Sequence, residues 1–355
     1  MAERVLICGG AGFIGSSLAL GLRAYHSDWQ IVCLDNLKRR GSELNLSRLR
    51  EAGIDFVHGD IRCSSDLAPD AFDVTTIIDC SAEPSVLAGF SSPDYVLQTN
   101  LVGTINILEL ARQRQAKLLF LSTSRVYPIE KLKAIKLLEA DTRYEIATEQ
   151  TLTGFSSLGI SEKFSLEGYR SLYGTTKLAS EMLIEEYRHA YDLKAVVNRC
   201  GVVTGPWQMG KVDQGVFVLW VAAHYFEKSL KYLGYGGSGK QVRDLLHVQD
   251  LLKLVEYQVT HFNTLDGDIL NVGGGSACSL SLLETTELCR VVTGKTINIT
   301  PVPEERPGDI PLFIMDSSLI QDKIGWSPEH NPETIISDIY QWLVENELML
   351  KSILA

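Results

Sequence analysis

Gly9-Gly10-Ala11-Gly12-Phe13-Ile14-Gly15-Ser16, set directly behind the apolar run Val5-Leu6-Ile7, decides the fold. A β-like run, then Gly-x-x-Gly-x-x-Gly, then an apolar helix is a turn built to cradle phosphates. Gly9 lets the chain turn sharply. Gly12 removes a side chain where a pyrophosphate must approach the backbone, and Gly15 lets the helix pack close to the strand. The helix start offers free N–H groups and a positive dipole end. Glycine triplets are common in turns, so the neighbours carry the specificity. A second run, Ile31-Val32-Cys33-Leu34, ends in Asp35, twenty residues after Gly15. A carboxylate there fits the ribose hydroxyls of NAD and repels the 2′-phosphate of NADP. Lys38, Arg39 and Arg40 read as a solvated charge run, with a phosphate site as the alternative. A third run, Phe56-Val57-His58, leads into Gly59-Asp60-Ile61, where a carboxylate can meet the adenine edge. The expected cofactor is NAD, held by Gly9, Gly12, Phe13, Ile14, Gly15, Asp35, Asn36, Asp60 and Ile61.

Helix-like and strand-like stretches alternate outward from this turn. Residues 18–25, 100–113 and 178–191 have helical spacing, while 75–80, 118–121 and 194–197 read as strands. Such alternation with fully apolar strands predicts an α/β fold, a Rossmann-type doubly wound parallel sheet with sites at the carboxyl ends of its strands. The pattern loosens after Gly205-Pro206, where glycine-rich and proline-rich breaks multiply. The expected division is a dinucleotide domain of residues 1–204 plus about 243–262, and a smaller C-terminal substrate lobe of about 205–242 and 263–355. The stretch 245–258 is expected to return to the dinucleotide domain.

Composition narrows the function classes. The chain of 355 residues is 45% hydrophobic, enough for one large or two medium cores. Its net charge of −11 gives no nucleic-acid footprint, and an anionic ligand needs local Arg or Lys. The seven cysteines are scattered, without metal-like spacing, so no metal is expected and a reducing cytoplasm fits best. No signal peptide is read at the N-terminus, and the longest apolar stretch, 216–226, is too short to span a bilayer.

Tyr173-Gly174-Thr175-Thr176-Lys177 is the second decisive segment. On a helix the two ends of this segment share one face, so Lys177 lies one turn from Tyr173. A phenol near pH 10 is a poor base at neutrality, and a nearby ammonium lowers its pKa. Tyr173 is thus a candidate proton acceptor for an alcohol being oxidised. Thr123, at the end of the run Leu118-Leu119-Phe120-Leu121-Ser122, can bond the reacting oxygen; a turn cap is its other reading.

With these segments go Asn100, Val126-Tyr127, Arg243-Asp244-x-x-His247-Val248 and Arg306-Pro307-Gly308-Asp309. The set resembles the extended short-chain dehydrogenase/reductase family of nucleotide-sugar epimerases and dehydratases, in order and through nearly the whole chain. The resemblance implies Tyr173 as base, Lys177 as its partner and a nicotinamide-ribose ligand, and Thr123 as helper. It adds Ser81, Ala82, Asn100 and Ser122 to the cofactor residues. It implies a nucleotide-diphosphate sugar as substrate, met by Thr123, Ser124, Glu83, Arg199, Gln208, Gln214, Gly215, Arg243, Arg306 and Asp309. Arg243 and Arg306 are expected on the diphosphate, which guanidinium groups fit in bidentate fashion. A homodimer or higher homo-oligomer is also implied.

Within the family, Ser124-Arg125 follow Thr123 where dehydratases carry Asp-Glu, so epimerisation is expected over dehydration. Asp213-Gln214-Gly215-Val216 and Gly239-Lys240-Gln241-Val242-Arg243-Asp244 resemble the members that epimerise C2 of a CDP-sugar. UDP-sugar 4-epimerisation, net oxidation and decarboxylation stay open. Asp79-Cys80-Ser81-Ala82-Glu83 departs from the family's usual His-Leu-Ala-Ala, close to the expected nicotinamide and sugar. Pro128 and Leu172 are further departures.

Overall fold

The computed structural model describes residues 2–211 and 214–354. They form two compact units. The first comprises Met1–Val126, Ser171–Arg199 and Leu251–Leu270; the second comprises Tyr127–Arg170, Cys200–Asp250 and Asn271–Ala355.

The first unit is built on a seven-stranded sheet. Its strands are β1 (Arg4–Cys8), β2 (Gln30–Asp35), β3 (Asp55–His58), β4 (Thr76–Asp79), β5 (Lys117–Thr123), β6 (Ala195–Cys200) and β7 (Ile269–Val272), in the order β7-β6-β5-β4-β1-β2-β3. Strands β1 to β5 pair in parallel. This is the expected doubly wound sheet, and its order reverses beside β1, where such sheets bind ligands. All residues of β4 and β6 are buried, as helices on both faces require. Leu6, Leu34, Ile77, Leu108, Leu118 and Phe120 belong to its core.

The second unit centres on the strand Val242–His247. It pairs in parallel with Val202–Thr204 and Leu312–Phe313, and antiparallel with Ser279–Ser281. The helices Val216–Tyr225, Leu282–Thr293 and Pro332–Glu345 pack on one another.

The expected domain boundaries differ from these units. Residues 127–170 belong to the second unit, because their backbone is tied there. The Ile160 N–H donates to Ile314 O at 2.9 Å, and the Tyr144 N–H to Lys240 O at 3.0 Å. Residues 243–250 also stay there, since they include the unit's central strand; only the rest of the Val248–Thr260 helix joins the first unit. Conversely, 263–270 run into edge strand β7 of the large sheet.

Two helices position the first unit's chemistry. Leu172–Tyr191 begins six residues earlier than its apolar spacing suggests, because the Ser171 hydroxyl caps it by accepting the Gly174 N–H at 3.2 Å. Before Gly103–Arg114 the chain makes one wide turn, Gln98–Val102, of the π type often found at functional sites.

Candidate active site

The glycine turn has the geometry its residues imply. Gly9 is left-handed, with φ +73°, and a Cβ on Gly15 would stand 2.2 Å from the Gly9 carbonyl oxygen. The helix Phe13–Tyr25 therefore starts hard against the turn, with no side chain capping it at Gly12. Asp35 ends β2 and accepts the Ala11 N–H at 3.2 Å and the Leu37 N–H at 2.8 Å. Burial raises its pKa, and the N–H groups of Leu37, Ala11 and Gly12 oppose that rise. These contacts fix the carboxylate beside the phosphate turn.

The neighbouring depression is lined by Asn36, Lys38, His58, Gly59, Asp60 and Arg62. The Asn36 amide donates to Asp60 at 3.0 Å, and the Arg62 guanidinium grips both Asp60 oxygens. That grip holds the Asp60 carboxyl well below the usual range. Lys38 and Arg62 each lie 5.0 Å from the Tyr95 ring centre. Lys38 is exposed, with its ammonium over that aromatic face. Ile61 is buried, and its carbonyl accepts the Asn106 amide at 2.8 Å. A bare turn, an uncapped helix start and a fixed carboxylate after the second strand are the parts that NAD needs.

Tyr173 and Lys177 occupy the first turns of the Leu172–Tyr191 helix, 8% and 1% exposed. The Lys177 ammonium sits 3.8 Å from the Phe120 ring centre, on β5. Thr123 ends β5, 7% exposed, and its hydroxyl accepts the Arg125 N–H at 3.2 Å. It therefore caps the turn that Ser124 opens and still carries a hydroxyl proton to donate.

Several expected ligand residues turn out to hold the site together. Arg199 was expected on the substrate. Its guanidinium instead pairs with Glu181 at 2.7 Å, with side chains 4% and 2% exposed, and so is committed to the protein. The Ser122 hydroxyl, expected at the cofactor, donates to the same Glu181. Glu181 itself escaped the sequence reading, although it continues the stripe of Tyr173 and Lys177 by one more turn. Asn100 accepts the Glu83 N–H at 2.8 Å and donates to Glu83 O and the Thr176 hydroxyl. Its side chain clamps the loop after β4 to the Leu172–Tyr191 helix. In that loop the Ser81 N–H and hydroxyl both donate to Asp79, and Ala82 and Glu83 follow, half-buried.

In the second unit three expected residues converge. The Arg243 guanidinium donates to Asp309 at 3.1 Å and to Ile310 O at 2.7 Å, and Arg306 lies 3.7 Å from the other Asp309 oxygen. One carboxylate thus organises two guanidinium groups, an arrangement suited to a diphosphate. Tyr235, which the sequence reading missed, lies within the field of Asp309 and Arg243 in a left-handed conformation, φ +49°. The Gln208 side chain is engaged within the protein: its amide oxygen accepts the Thr204 hydroxyl at 2.9 Å and its amide N–H donates to Val203 O at 3.0 Å. Gly215, φ +68°, starts the next helix, and the Gln214 backbone pairs with Lys211. Asp213 lies outside the described residues. His247, His330 and Asp338 also gather in this unit. There His247 Nδ1 accepts the Gln249 N–H at 3.1 Å, so Nε2 carries the ring proton and offers no lone pair to a metal.

Comparison with known proteins agrees with this geometry. The family model described as NAD dependent epimerase/dehydratase family matches residues 5–273. The chain is 30% identical over 352 residues to CDP-paratose 2-epimerase of Salmonella typhi, covering 96% of this chain and 98% of that one. UDP-glucose 4-epimerase of Thermus thermophilus, solved with NAD, superposes with a TM-score of 0.75 at 25% identity, over 96% of this chain and 99% of that one. The dTDP-glucose 4,6-dehydratase of Bacillus anthracis, also solved with NAD, gives 0.78 at 25% identity, over 99% and 100%.

Proposed function

The chain belongs to the NAD-dependent epimerase/dehydratase family, with NAD as cofactor, and from that premise we propose that it epimerises C2 of a CDP-linked dideoxyhexose. The observation that carries the reading is the buried Tyr173–Lys177 pair at the start of its helix, with Ser124-Arg125 rather than two acids after Thr123.

Bound NAD would supply the two-electron acceptor for oxidation of the sugar carbinol to a ketone and the donor for its reduction. Tyr173 Oη takes the proton from the sugar hydroxyl and later returns it. Lys177, one turn away, favours the phenolate by its charge. The Thr123 hydroxyl donates to the reacting sugar oxygen. Arg243 and Arg306 hold the diphosphate, so the nucleotide stays bound while the keto sugar turns its other face. The cofactor ends each cycle as it began, so the protein is expected to keep it bound. Support for the CDP-sugar comes from the Gly239-to-Asp244 run and the Salmonella typhi relative.

NMR of the protein incubated with a panel of CDP-, UDP-, dTDP- and GDP-sugars tests the reading. Conversion of CDP-paratose to CDP-tyvelose is the expected result. Turnover of UDP-sugars alone points to 4-epimerisation, and accumulation of NADH to net oxidation; either result overturns it.

A further inference from the structure

Asp79 is a buried carboxylate of the first unit that takes no part in the mechanism above; Glu181, another, is already paired with Arg199. Asp79 ends β4, in register with Cys8 of β1 and Phe120 of β5, and is 0% exposed. One oxygen accepts both the N–H and the hydroxyl of Ser81. The other, Oδ2, is buried and has no hydrogen-bond partner among the described residues. A carboxylate oxygen left so is costly unless a positive charge stands near it. The cation here is Lys177, whose ammonium lies over the ring of Phe120, the register partner of Asp79.

We propose that Asp79 is the buried counter-ion of Lys177, and that its charge sets how strongly Lys177 acidifies Tyr173. Asp79 is a positioning residue: its hydrogen bonds come from Ser81, and it acts through the lysine. The inference rests on the reading of Tyr173 and Lys177 as the catalytic pair.

The surrounding groups agree. Burial raises the Asp79 pKa and the Lys177 charge opposes that rise. The Cys8 thiol, on β1, is pushed well up, first by burial and then by the Asp79 charge, with Cys80, Asp35 and Cys33 adding to it. Cys8 is therefore neutral and does not compete for the lysine. On the helix carrying Lys177, Glu181 is already neutralised by Arg199 of β6. Asp79 interacts electrostatically with Lys177, and its charge offsets part of the ammonium's field at Tyr173. The enzyme then works with a phenol less acidic than the lysine alone would make it.

The sign of the test follows. Removing the Asp79 charge strengthens the lysine's field, so the phenolate forms at lower pH. The NAD-loaded protein is titrated by ultraviolet difference absorbance, following phenolate, with Tyr173→Phe as reference. Asp79→Asn is the direct variant, and Asp79→His restores the residue type that the family usually carries there. Both are expected to lower the Tyr173 midpoint by about one pH unit, roughly tenfold more phenolate at a fixed pH below it. An unchanged or raised midpoint in a folded, NAD-loaded variant overturns the proposal. So does failure of both variants to fold and retain NAD, which would make Asp79 a structural residue only. If Tyr173→Phe removes no low-pH phenolate from the parent protein, the catalytic reading itself has failed, and the two failures are told apart.

Discussion

Tyr173 and Lys177 are each within reach of solvent by less than a tenth of their surface, and that burial makes one turn of helix chemically decisive. Tyr173→Phe is expected to lower turnover by about 10²- to 10⁴-fold while bound NAD, read by absorbance after denaturation, stays at the parent level. Glu181→Gln tests a different link. It leaves Arg199 charged and buried without its partner, so urea unfolding should show a loss of about 3–5 kcal/mol. Asp244 gives a pH signature. Burial lifts its pKa to about 6, with Gly275 and Met315 N–H groups opposing. A carboxyl raised above its unfolded value near 4 stabilises the fold fully below that value, and the benefit is lost as pH rises through 6. Asp244→Asn is therefore expected to flatten the stability change between pH 4 and 6 that this group contributes. Unchanged slopes in unfolding curves across that window would count against it. The motif residues were legible one by one. The partners of Arg199 and Gln208 were not, because a residue type shows what it can bond and not which neighbour the fold brings to it.

At the scale of elements, the glycine turn and the helix behind it form a single device. Gly15→Ala places a methyl group 2.2 Å from the Gly9 carbonyl oxygen, which is backbone and cannot swing away. The variant is expected to lose NAD on purification, with a lower Tm; full NAD occupancy would show that the close packing is dispensable. The long apolar strands β4 to β6 could be read directly, since fully buried parallel strands are continuous apolar runs. The short pairs Leu137–Glu139 with Tyr144–Ile146, and Phe155–Ser156 with Gly159–Ile160, could not. Two or three residues carry no periodicity, so residues 127–170 were assigned to the wrong unit. That Tyr173 and Lys177 open a helix was legible, although apolar spacing begins only at residue 178, because the helix start is set by the Ser171 cap.

Over the whole molecule, each unit carries its own cluster of polar groups. The first has the cofactor turn, the fixed Asp35 carboxylate and the Tyr173–Lys177 pair. The second has the two guanidinium groups gathered by Asp309. No helix among the described residues is long and apolar enough to cross a membrane. A cofactor that binds only the folded state raises its stability by mass action. Protein stripped of NAD is expected to melt at lower temperature and to recover with added NAD, but not with NADP at equal concentration, because a carboxylate at the end of the second strand would repel the 2′-phosphate. In the proposed reaction one carbon is oxidised and reduced again while everything else stays bound. The most direct measurement uses CDP-paratose deuterated at C2, incubated in ordinary water and followed by NMR. The expected product is CDP-tyvelose that keeps its deuterium at C2. Product with the label exchanged for solvent hydrogen, or no product at all, would contradict that reaction.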